Sequence, residues 1–216
     1  LANSEQARRA LIRESLQAVG LRPDETLGRY PHQLSGGQRQ RIMVARAVLV
    51  RPRLIIADEP VSMVDASLRA TILESLRQLN RDYGMSIVYI THDLTTAFQI
   101  SDAIIVLYRG AVAEAGDVDL VVRQPRHPYT QLLIKSVPRP DPKHGWGEAE
   151  VRADGAEASS DRGCSFAPRC PYVMPVCRTD PPPLFQLDGA RVASCFLYQE
   201  DGATLSSRQL TEVMSA

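Results

Sequence analysis

The stretch that decides the fold is Leu34–Asp65, LSGGQRQRIMVARAVLVRPRLIIADEPVSMVD. It opens with a Ser/Gly turn, Leu34–Gln38, which leads into a helix with a mostly apolar run. The next segment, Leu54–Ala57, is short and wholly apolar, and it ends in the carboxylate pair Asp58 and Glu59. Such a run predicts a strand that is buried on both faces, as in a parallel sheet.

The turn at the start of this stretch predicts an anion site. Ser35 can cap the helix, and Gly36 and Gly37 carry no side chains where the backbone must approach another group closely. First-turn N–H groups have no acceptor within the helix, and the helix dipole adds partial positive charge there, so this helix end suits a phosphate. On its own, however, Ser-Gly-Gly is more often a linker.

The carboxylate pair predicts phosphoryl-transfer chemistry. Asp58 and Glu59 follow a buried strand, and open α/β sheets place their ligands at the carboxyl ends of their strands. One carboxylate there can hold Mg²⁺ while the other acts on the attacking water. An isolated Asp-Glu pair is more often a solvated surface feature, so the prediction depends on the rest of the chain.

Further strands and helices extend the alternation. A helix is expected from Ala66 to about Asp82, with an apolar stripe made of Leu68, Ile72, Leu73, Leu76 and Leu79. A second buried strand is expected over Ser86–Thr91, and a third strand over Ala103–Tyr108 with a hairpin partner over Ala111–Ala115 that Gly116 breaks. Alternating strands and helices with short links predict the α/β class and a parallel sheet. In that arrangement Asp58, Glu59 and His92 lie at one edge.

Taken in series, these motifs resemble the ATP-binding-cassette (ABC) ATPase family. Leu34–Gln38 is similar to the signature loop, Leu54–Glu59 to the Walker B strand, Ser62–Asp65 to the D-loop and His92 to the switch histidine. The resemblance implies a P-loop-NTPase-like α/β domain over about residues 1–137. Its helical subdomain would span about 1–50 and its catalytic core about 51–124.

The resemblance also implies roles for individual residues and identifies ATP and Mg²⁺ as cofactors. Glu59 would be the general base or orient the water, and His92 would stabilise developing charge. Asp58 would hold Mg²⁺. Two cassettes would enclose two ATP molecules head to tail, with the signature acting on the nucleotide of the partner. The implied nucleotide-contacting residues are Ser35, Gly36, Gly37, Gln38 and Asp65.

Composition limits the alternatives. The chain has 25 basic and 25 acidic residues, so net charge favours no nucleic-acid partner. No apolar run approaches 18 residues, and the first residues do not resemble a signal peptide. The 216 residues contain no G-x-x-x-x-G-K-[ST] phosphate loop and no initiating Met. We therefore expect a C-terminal fragment of a longer protein that binds ATP poorly by itself.

The C-terminal part points to one branch of the family. Gln124–Leu133 resembles a segment of the oligopeptide/dipeptide/nickel importers. Residues 138–163 are rich in Pro, Gly and charge, which predicts a linker. Residues 164–199 are interpreted as a small Cys-containing extension typical of that branch, and residues 200–216 as a frayed tail.

All four cysteines lie in this extension: Cys164, Cys170, Cys177 and Cys195. Clustered cysteines in a cytosolic protein favour metal or redox chemistry over disulfides. The gaps of five and six residues fit a zinc knuckle poorly, and the resemblance implies a [4Fe–4S] cluster. Zinc and reduced structural cysteines stay open as alternatives.

We interpret the chain as the ATPase subunit of an ABC importer that drives uptake of di- and oligopeptides. The implied partners are a second cassette, identical or paralogous, transmembrane permease subunits and, indirectly, a solute-binding protein. The implied location is the cytoplasmic face of the cell membrane. Two alternatives remain: a non-transport ABC ATPase, and a non-catalytic metal-binding or regulatory module.

Overall fold

Strands and helices alternate between residues 54 and 108 as predicted, and the arrangement as a whole is mixed α/β. The structure is a computed structural model that describes residues 4–62, 64, 66–137, 162–200, 202–206 and 209–213. By its internal contacts the chain divides into two units, Leu1–Asp93 and Leu94–Ala216. The four-part domain organisation expected from the sequence stays a prediction, and residues 138–161 of its linker lie outside the described ranges.

In its described residues the first unit has four α-helices, a short 3-10 helix at Pro31–Gln33 and two strands. The Ser4 hydroxyl accepts the N–H of Ala7 at 3.1 Å and so caps the first helix. The elements of this unit, in chain order, are α1 (Glu5–Ala18), α2 (Pro23–Thr26), α3 (Gly36–Val48), β1 (Leu54–Asp58), α4 (Ala66–Tyr83) and β2 (Ser86–Ile90).

Two apolar groups form the core of this unit. Leu16 of α1 and Val19, the residue that caps its end, pack with Ala45 of α3. The stripe predicted on α4 is buried, with Ile72, Leu76 and Leu79 at 1% exposure or less. The helical periodicity of the sequence thus identified the packed face of α4 correctly.

β1 and β2 pair in parallel, with Asp58 opposite Ile90 at their carboxyl ends. The expectation that β1 is buried on both faces is wrong. Ile55 and Ala57 are buried, whereas Ile56 is 66% exposed. Leu54, Val88 and Ile90 are each about half exposed. In the described part of this unit the sheet has two strands. Side chains alternate between its faces, so one alternate set reaches solvent.

The second unit contains, in chain order, α5 (Leu94–Ile100), β3 (Ala103–Tyr108), β4 (Ala111–Asp117), α6 (Val118–Arg123), α7 (Pro128–Lys135), α8 (Val176–Thr179), β5 (Leu184–Asp188), β6 (Arg191–Ala193), β7 (Ala203–Leu205) and α9 (Leu210–Val213). Its strands form an antiparallel sheet in the order β3-β4-β6-β5-β7. The predicted hairpin of β3 and β4 is present. The expectation that the third strand belongs to the parallel sheet is wrong, because among the described strands β3 pairs with β4 across the hairpin and not with β2.

Gly116 does not break the hairpin strand as expected, because β4 continues to Asp117. Its φ is 149°, and a Cβ built there would lie 2.2 Å from the carbonyl oxygen of Ala190. β6 pairs with β4 at this point, Arg191 opposite Gly116. The glycine therefore permits the close approach of two backbones.

The expectation of a frayed tail is also wrong. Within residues 200–216 the chain forms β7, which pairs with β5, and the short helix α9. Val213 is 7% exposed and packs with Ala115 and Val192. The last strand and helix thus belong to the same core as β4 and β6. Across the described residues, no helix is both long and apolar enough to cross a membrane.

Candidate nucleotide site and cysteine pocket

The signature turn is a reciprocal helix cap. The Ser35 hydroxyl accepts the N–H of Gln38 at 3.1 Å, and the side-chain carbonyl of Gln38 accepts the N–H of Ser35 at 2.9 Å. This capping box fixes the start of α3 and occupies the Gln38 oxygen. The cap predicted at Ser35 is confirmed.

The two glycines of the turn have different surroundings. A Cβ at Gly36 would meet nothing within 4 Å, whereas one at Gly37 would lie 2.8 Å from the Leu68 side chain. Gly37 thus serves packing of α3 on α4. The space around Gly36 is open. The backbone N–H groups of Gly36 and Gly37 lie in the first turn of α3, where N–H donors have no acceptor within the helix.

The residues predicted at the sheet edge lie together. Glu59 directly follows β1, and its N–H donates to the carbonyl of Ile90, the last residue of β2, at 2.9 Å. Its carboxylate oxygen Oε1 lies 2.8 Å from Nδ1 of His92. Asp58 ends β1 opposite Ile90 and is exposed. The structure therefore brings Asp58, Glu59 and His92 to one edge.

Both partners of the Glu59–His92 pair reach solvent, with side chains 45% and 76% exposed. A carboxylate and an imidazole in contact at an open strand end can accept, hold and return a proton. The backbone of Glu59 has a positive φ of 44°, which is rare outside glycine and is found where a turn has to aim a side chain.

Sequence reasoning missed a contact that fixes the His92 loop. Arg69 of α4 forms an ion pair with the Asp93 carboxylate at 3.1 Å. The Thr91 hydroxyl accepts the N–H of Asp93 at 3.0 Å. Nothing in the spacing links Arg69 to a residue 24 positions later, so only the fold reveals the pair. The predicted nucleotide contact Asp65 lies outside the described residues.

The four cysteines line one pocket in the second unit, together with apolar side chains such as Phe166 and Met174. All four are free thiols, and Cys177 and Cys195 are buried. The N–H of Cys164 donates to the carbonyl of Cys177 at 2.8 Å. A Cβ at Gly163 would lie 2.5 Å from that carbonyl, so only glycine permits this approach.

Burial raises the pKa of Cys164 and Cys170, and it raises the pKa of Cys195 to about 11. Interaction with the neighbouring thiols raises these pKa values further. Hydrogen bonding by backbone groups lowers the three pKa values. The groups belong to Phe166 and Ala167 for Cys164, to Tyr172 for Cys170 and to Leu197 for Cys195. In the described residues no three His, Cys, Asp or Glu side chains are arranged to hold a metal ion.

His127 lies in the wall of the same pocket and is 4% exposed. Its Nδ1 accepts the N–H of Tyr129 at 3.0 Å and so caps α7. Burial lowers the pKa of His127 to about 4, against a hydrogen bond with the backbone of Ser194 that raises it. The ring is therefore neutral near pH 7.

Glu114 is fully buried beneath this segment. Its carboxylate accepts the N–H of Arg126 at 3.0 Å and the N–H of His127 at 2.9 Å. Burial raises the pKa of Glu114, and Arg191, also buried, opposes that rise. The sequence offered no signal for Glu114 beyond a charged residue in a predicted strand.

Two family models match the chain. The model described as "ABC transporter" matches residues 2–62, and "Oligopeptide/dipeptide transporter, C-terminal region" matches residues 113–177. The chain belongs to the ABC transporter ATP-binding family. The second match includes α7 and three of the four cysteines of this ABC chain.

Curated relatives agree with this assignment. The putative oligopeptide transport ATP-binding protein YkfD of Bacillus subtilis (strain 168) is 40% identical over 92% of this chain and 61% of YkfD. The oligopeptide transport ATP-binding protein AppD of the same strain is 41% identical over 89% of this chain and 59% of AppD. The ABC chain thus spans about three fifths of the length of these relatives.

Among solved structures, the dimeric bacterial ABC transporter cassette MJ0796 is similar at a TM-score of 0.48 and 34% identity. The similarity covers 55% of this chain and 50% of that one.

Proposed function

We propose that the first unit of this chain supplies catalytic and signature residues of an ATP-binding component that powers peptide import. The contact of Glu59 with His92 at the carboxyl edge of β1 and β2 carries the proposal. These are the residues that resemble the catalytic glutamate and the switch histidine, and the fold places them 2.8 Å apart.

In the proposed reaction, Glu59 accepts a proton from the water that attacks the terminal phosphate of ATP, or orients that water. His92 holds Glu59 in place and stabilises the charge that develops on the phosphate. Asp58, one residue earlier, would hold Mg²⁺, which neutralises phosphate charge when bound. Asp65 stays a proposed nucleotide contact.

The signature residues act on a nucleotide held by a second cassette. The start of α3 is preorganised by its capping box, so Gly36 and Gly37 present first-turn N–H groups without reorganisation. We propose that Ser35 and Gln38 belong to the same anion site because their reciprocal hydrogen bonds shape the turn that presents these N–H groups. A phosphate bound there would gain from the helix dipole.

The transported class is proposed from the relatives, whose names refer to oligopeptide transport and peptide import. Membrane permeases, a second cassette and a solute-binding protein are the corresponding partners, with the ATPase at the cytoplasmic face. These relatives favour transport over the alternative of a non-transport ABC ATPase.

The catalytic assignment is tested by Glu59→Gln in the longer protein that contains these residues. The amide keeps the size of the side chain but cannot accept the proton of water, so turnover of Mg-ATP should fall at least about a hundredfold. Binding of ATP, measured separately by equilibrium dialysis, should persist. Glu74→Gln, an exposed carboxylate on α4, is the matched control and should keep normal turnover. Near-normal hydrolysis by Glu59→Gln would contradict the assignment.

A second proposed function concerns the pocket lined by Cys164, Cys170, Cys177 and Cys195: a binding site for a [4Fe–4S] cluster. The support is that four free thiols from separate segments share one pocket. A cluster needs four cysteines spread around a larger group than a single ion.

The cluster would cross-link the segments of the second unit that contribute the thiols. Anaerobic reconstitution with iron and sulfide should give about four irons and four acid-labile sulfides per chain. Cys195→Ser should lose most of this iron, while Gln199→Ser, at an exposed side chain four residues later, should retain it. Equal iron in both variants, or none in the wild type, would contradict the cluster.

A further inference from the structure

Hydrogen bonds from three sides hold the turn that carries Glu59. From β2, the carbonyl of Ile90 accepts the N–H of Glu59 at 2.9 Å. From within the turn, the Ser62 hydroxyl donates to the carbonyl of Glu59 at 3.1 Å. From α3, the side-chain amide of Gln40 donates to the carbonyl of Pro60. The residue directly after Glu59 is therefore tied to the helix that begins at the signature turn.

The bond from Gln40 is accompanied by packing between α3 and the segment after Glu59. Gln40 lies in the second turn of α3, and its side chain is half-buried. The first turn packs on α4, because a Cβ at Gly37 would lie 2.8 Å from the Leu68 side chain. Pro60 is buried, and a buried backbone carbonyl without a donor costs stability. Both contacts fix α3 against this segment.

The conformation of the turn explains why a bond at Pro60 matters for Glu59. The φ of Glu59 is 44°, which surrounding contacts have to hold. Pro60 has no N–H, so its carbonyl is the backbone group through which it can be anchored. Without the bond from Gln40, we expect the turn to relax and the Glu59 carboxylate to leave its position 2.8 Å from His92.

We propose that Gln40 is a positioning residue that holds Glu59 in the orientation needed for hydrolysis and makes that orientation depend on the placement of the signature helix. This inference rests on the proposed catalytic role of Glu59. The start of α3 faces the nucleotide of the second cassette, so one side chain links the two half-sites within a chain. A misplacement of about 1 Å can cost about a hundredfold in rate.

Two substitutions separate the hydrogen bond of Gln40 from its packing. Gln40→Met keeps an unbranched side chain of similar length but has no donor. Gln40→Lys keeps the apolar stem and presents an ammonium group that can donate to the carbonyl of Pro60. Gln78→Met, at an exposed glutamine of α4, is the matched control.

The kinetic test measures hydrolysis of Mg-ATP by the longer protein that contains these residues. In Gln40→Met, kcat should fall at least about tenfold while KM stays within about threefold, because the bond orients Glu59 and does not bind ATP. Gln40→Lys should recover to within about threefold of the wild-type kcat, and Gln78→Met should match the wild type. Equal loss in the Met and Lys variants, or a raised KM at unchanged kcat, would overturn the positioning role.

A double variant shows whether Gln40 acts through the Glu59 carboxylate. In the Glu59→Gln background, adding Gln40→Met should lower the residual rate by less than about twofold, because the group that Gln40 positions is already absent. A further fall of about tenfold would mean that Gln40 affects hydrolysis by another route, and it would overturn the proposal.

Hydrogen exchange of the 216-residue chain without nucleotide separates this inference from the catalytic role of Glu59. The backbone N–H groups of Glu59 and Ser62 should exchange at least about fivefold faster in Gln40→Met than in the wild type, and at the wild-type rate in Gln40→Lys. Normal turnover by Glu59→Gln would contradict the catalytic role alone. Unchanged exchange in Gln40→Met would overturn the link between α3 and the turn.

Discussion

At Glu59 the backbone conformation and the side-chain chemistry are connected. A positive φ at a residue other than glycine costs about 1 kcal/mol or more, so surrounding contacts must hold it. The N–H of Glu59 donates to the carbonyl of Ile90, and the Ser62 hydroxyl donates to the carbonyl of Glu59. These bonds fix the turn after β1 and direct the carboxylate toward His92.

His127 provides a prediction at the residue scale. Burial lowers its pKa from 6.5 to about 4. Between these values the unfolded chain binds a proton that the folded chain does not, so the stability present above pH 6.5 is lost as pH falls toward 4. The full shift corresponds to about 3 kcal/mol.

Urea unfolding of the metal-free chain checks this. Between about pH 7 and about pH 4.5, the free energy of unfolding of the wild type should fall by about 2 kcal/mol more than that of His127→Gln. The comparison with Gln cancels the contributions of the other titrating groups. The same pH dependence in both proteins would show that His127 is not buried as a neutral ring.

At the scale of elements, Gly36 and Gly37 form a matched pair in one helix turn. Gly37→Ala would place a Cβ against the Leu68 side chain at 2.8 Å and should cost about 1–3 kcal/mol of unfolding free energy, because Leu68 has to leave its packed position or α3 has to move away from α4. Gly36→Ala has open space and should change stability by less than about 1 kcal/mol. Denaturant unfolding of both variants tests the packing, and equal costs would contradict it.

The open face of β1 and β2 predicts a surface property. Parallel sheets usually have both faces covered, and an apolar face in water promotes dye binding and association. Ile56→Thr with Val88→Thr should lower the fluorescence of a bound hydrophobic dye at least about twofold and change the unfolding free energy by less than about 1 kcal/mol.

The control for this face is Ile55→Thr, which lies on the buried side of β1. It should cost about 2 kcal/mol or more, because it removes buried apolar atoms and buries a hydroxyl. Dye fluorescence that is unchanged in the double variant would mean that Ile56 and Val88 are covered.

How far the sequence predicts these elements depends on the range of the interactions. Local signals located the Ser35 cap, the stripe of α4 and the hairpin of β3 and β4. They failed for Gly116, whose role depends on a backbone about 74 residues later, because local turn chemistry does not report long-range strand pairing. The prediction of a frayed tail failed for the same reason, since β7 forms by pairing with β5, which lies earlier in the chain.

At the scale of the whole molecule, the sequence predicted the edge that joins Asp58, Glu59 and His92, because parallel strands bring their carboxyl ends together. It also located the cysteines, but not the buried residues Glu114 and His127 that support their pocket. Buried polar partners are set by tertiary contacts, for which a single sequence carries no periodic signal. Each of the two units contains one of the family matches: residues 2–62 lie in the first unit and residues 113–177 in the second.

The central claim is that this chain presents half of an ATP site to a second cassette. The most direct test mixes the 216-residue chain with a full-length peptide-importer cassette that has an intact phosphate loop and a disabled signature, and measures hydrolysis of Mg-ATP. We predict that neither protein alone is active, that the mixture hydrolyses ATP, and that Ser35→Arg in this chain abolishes the activity. A mixture as inactive as its components would contradict the claim.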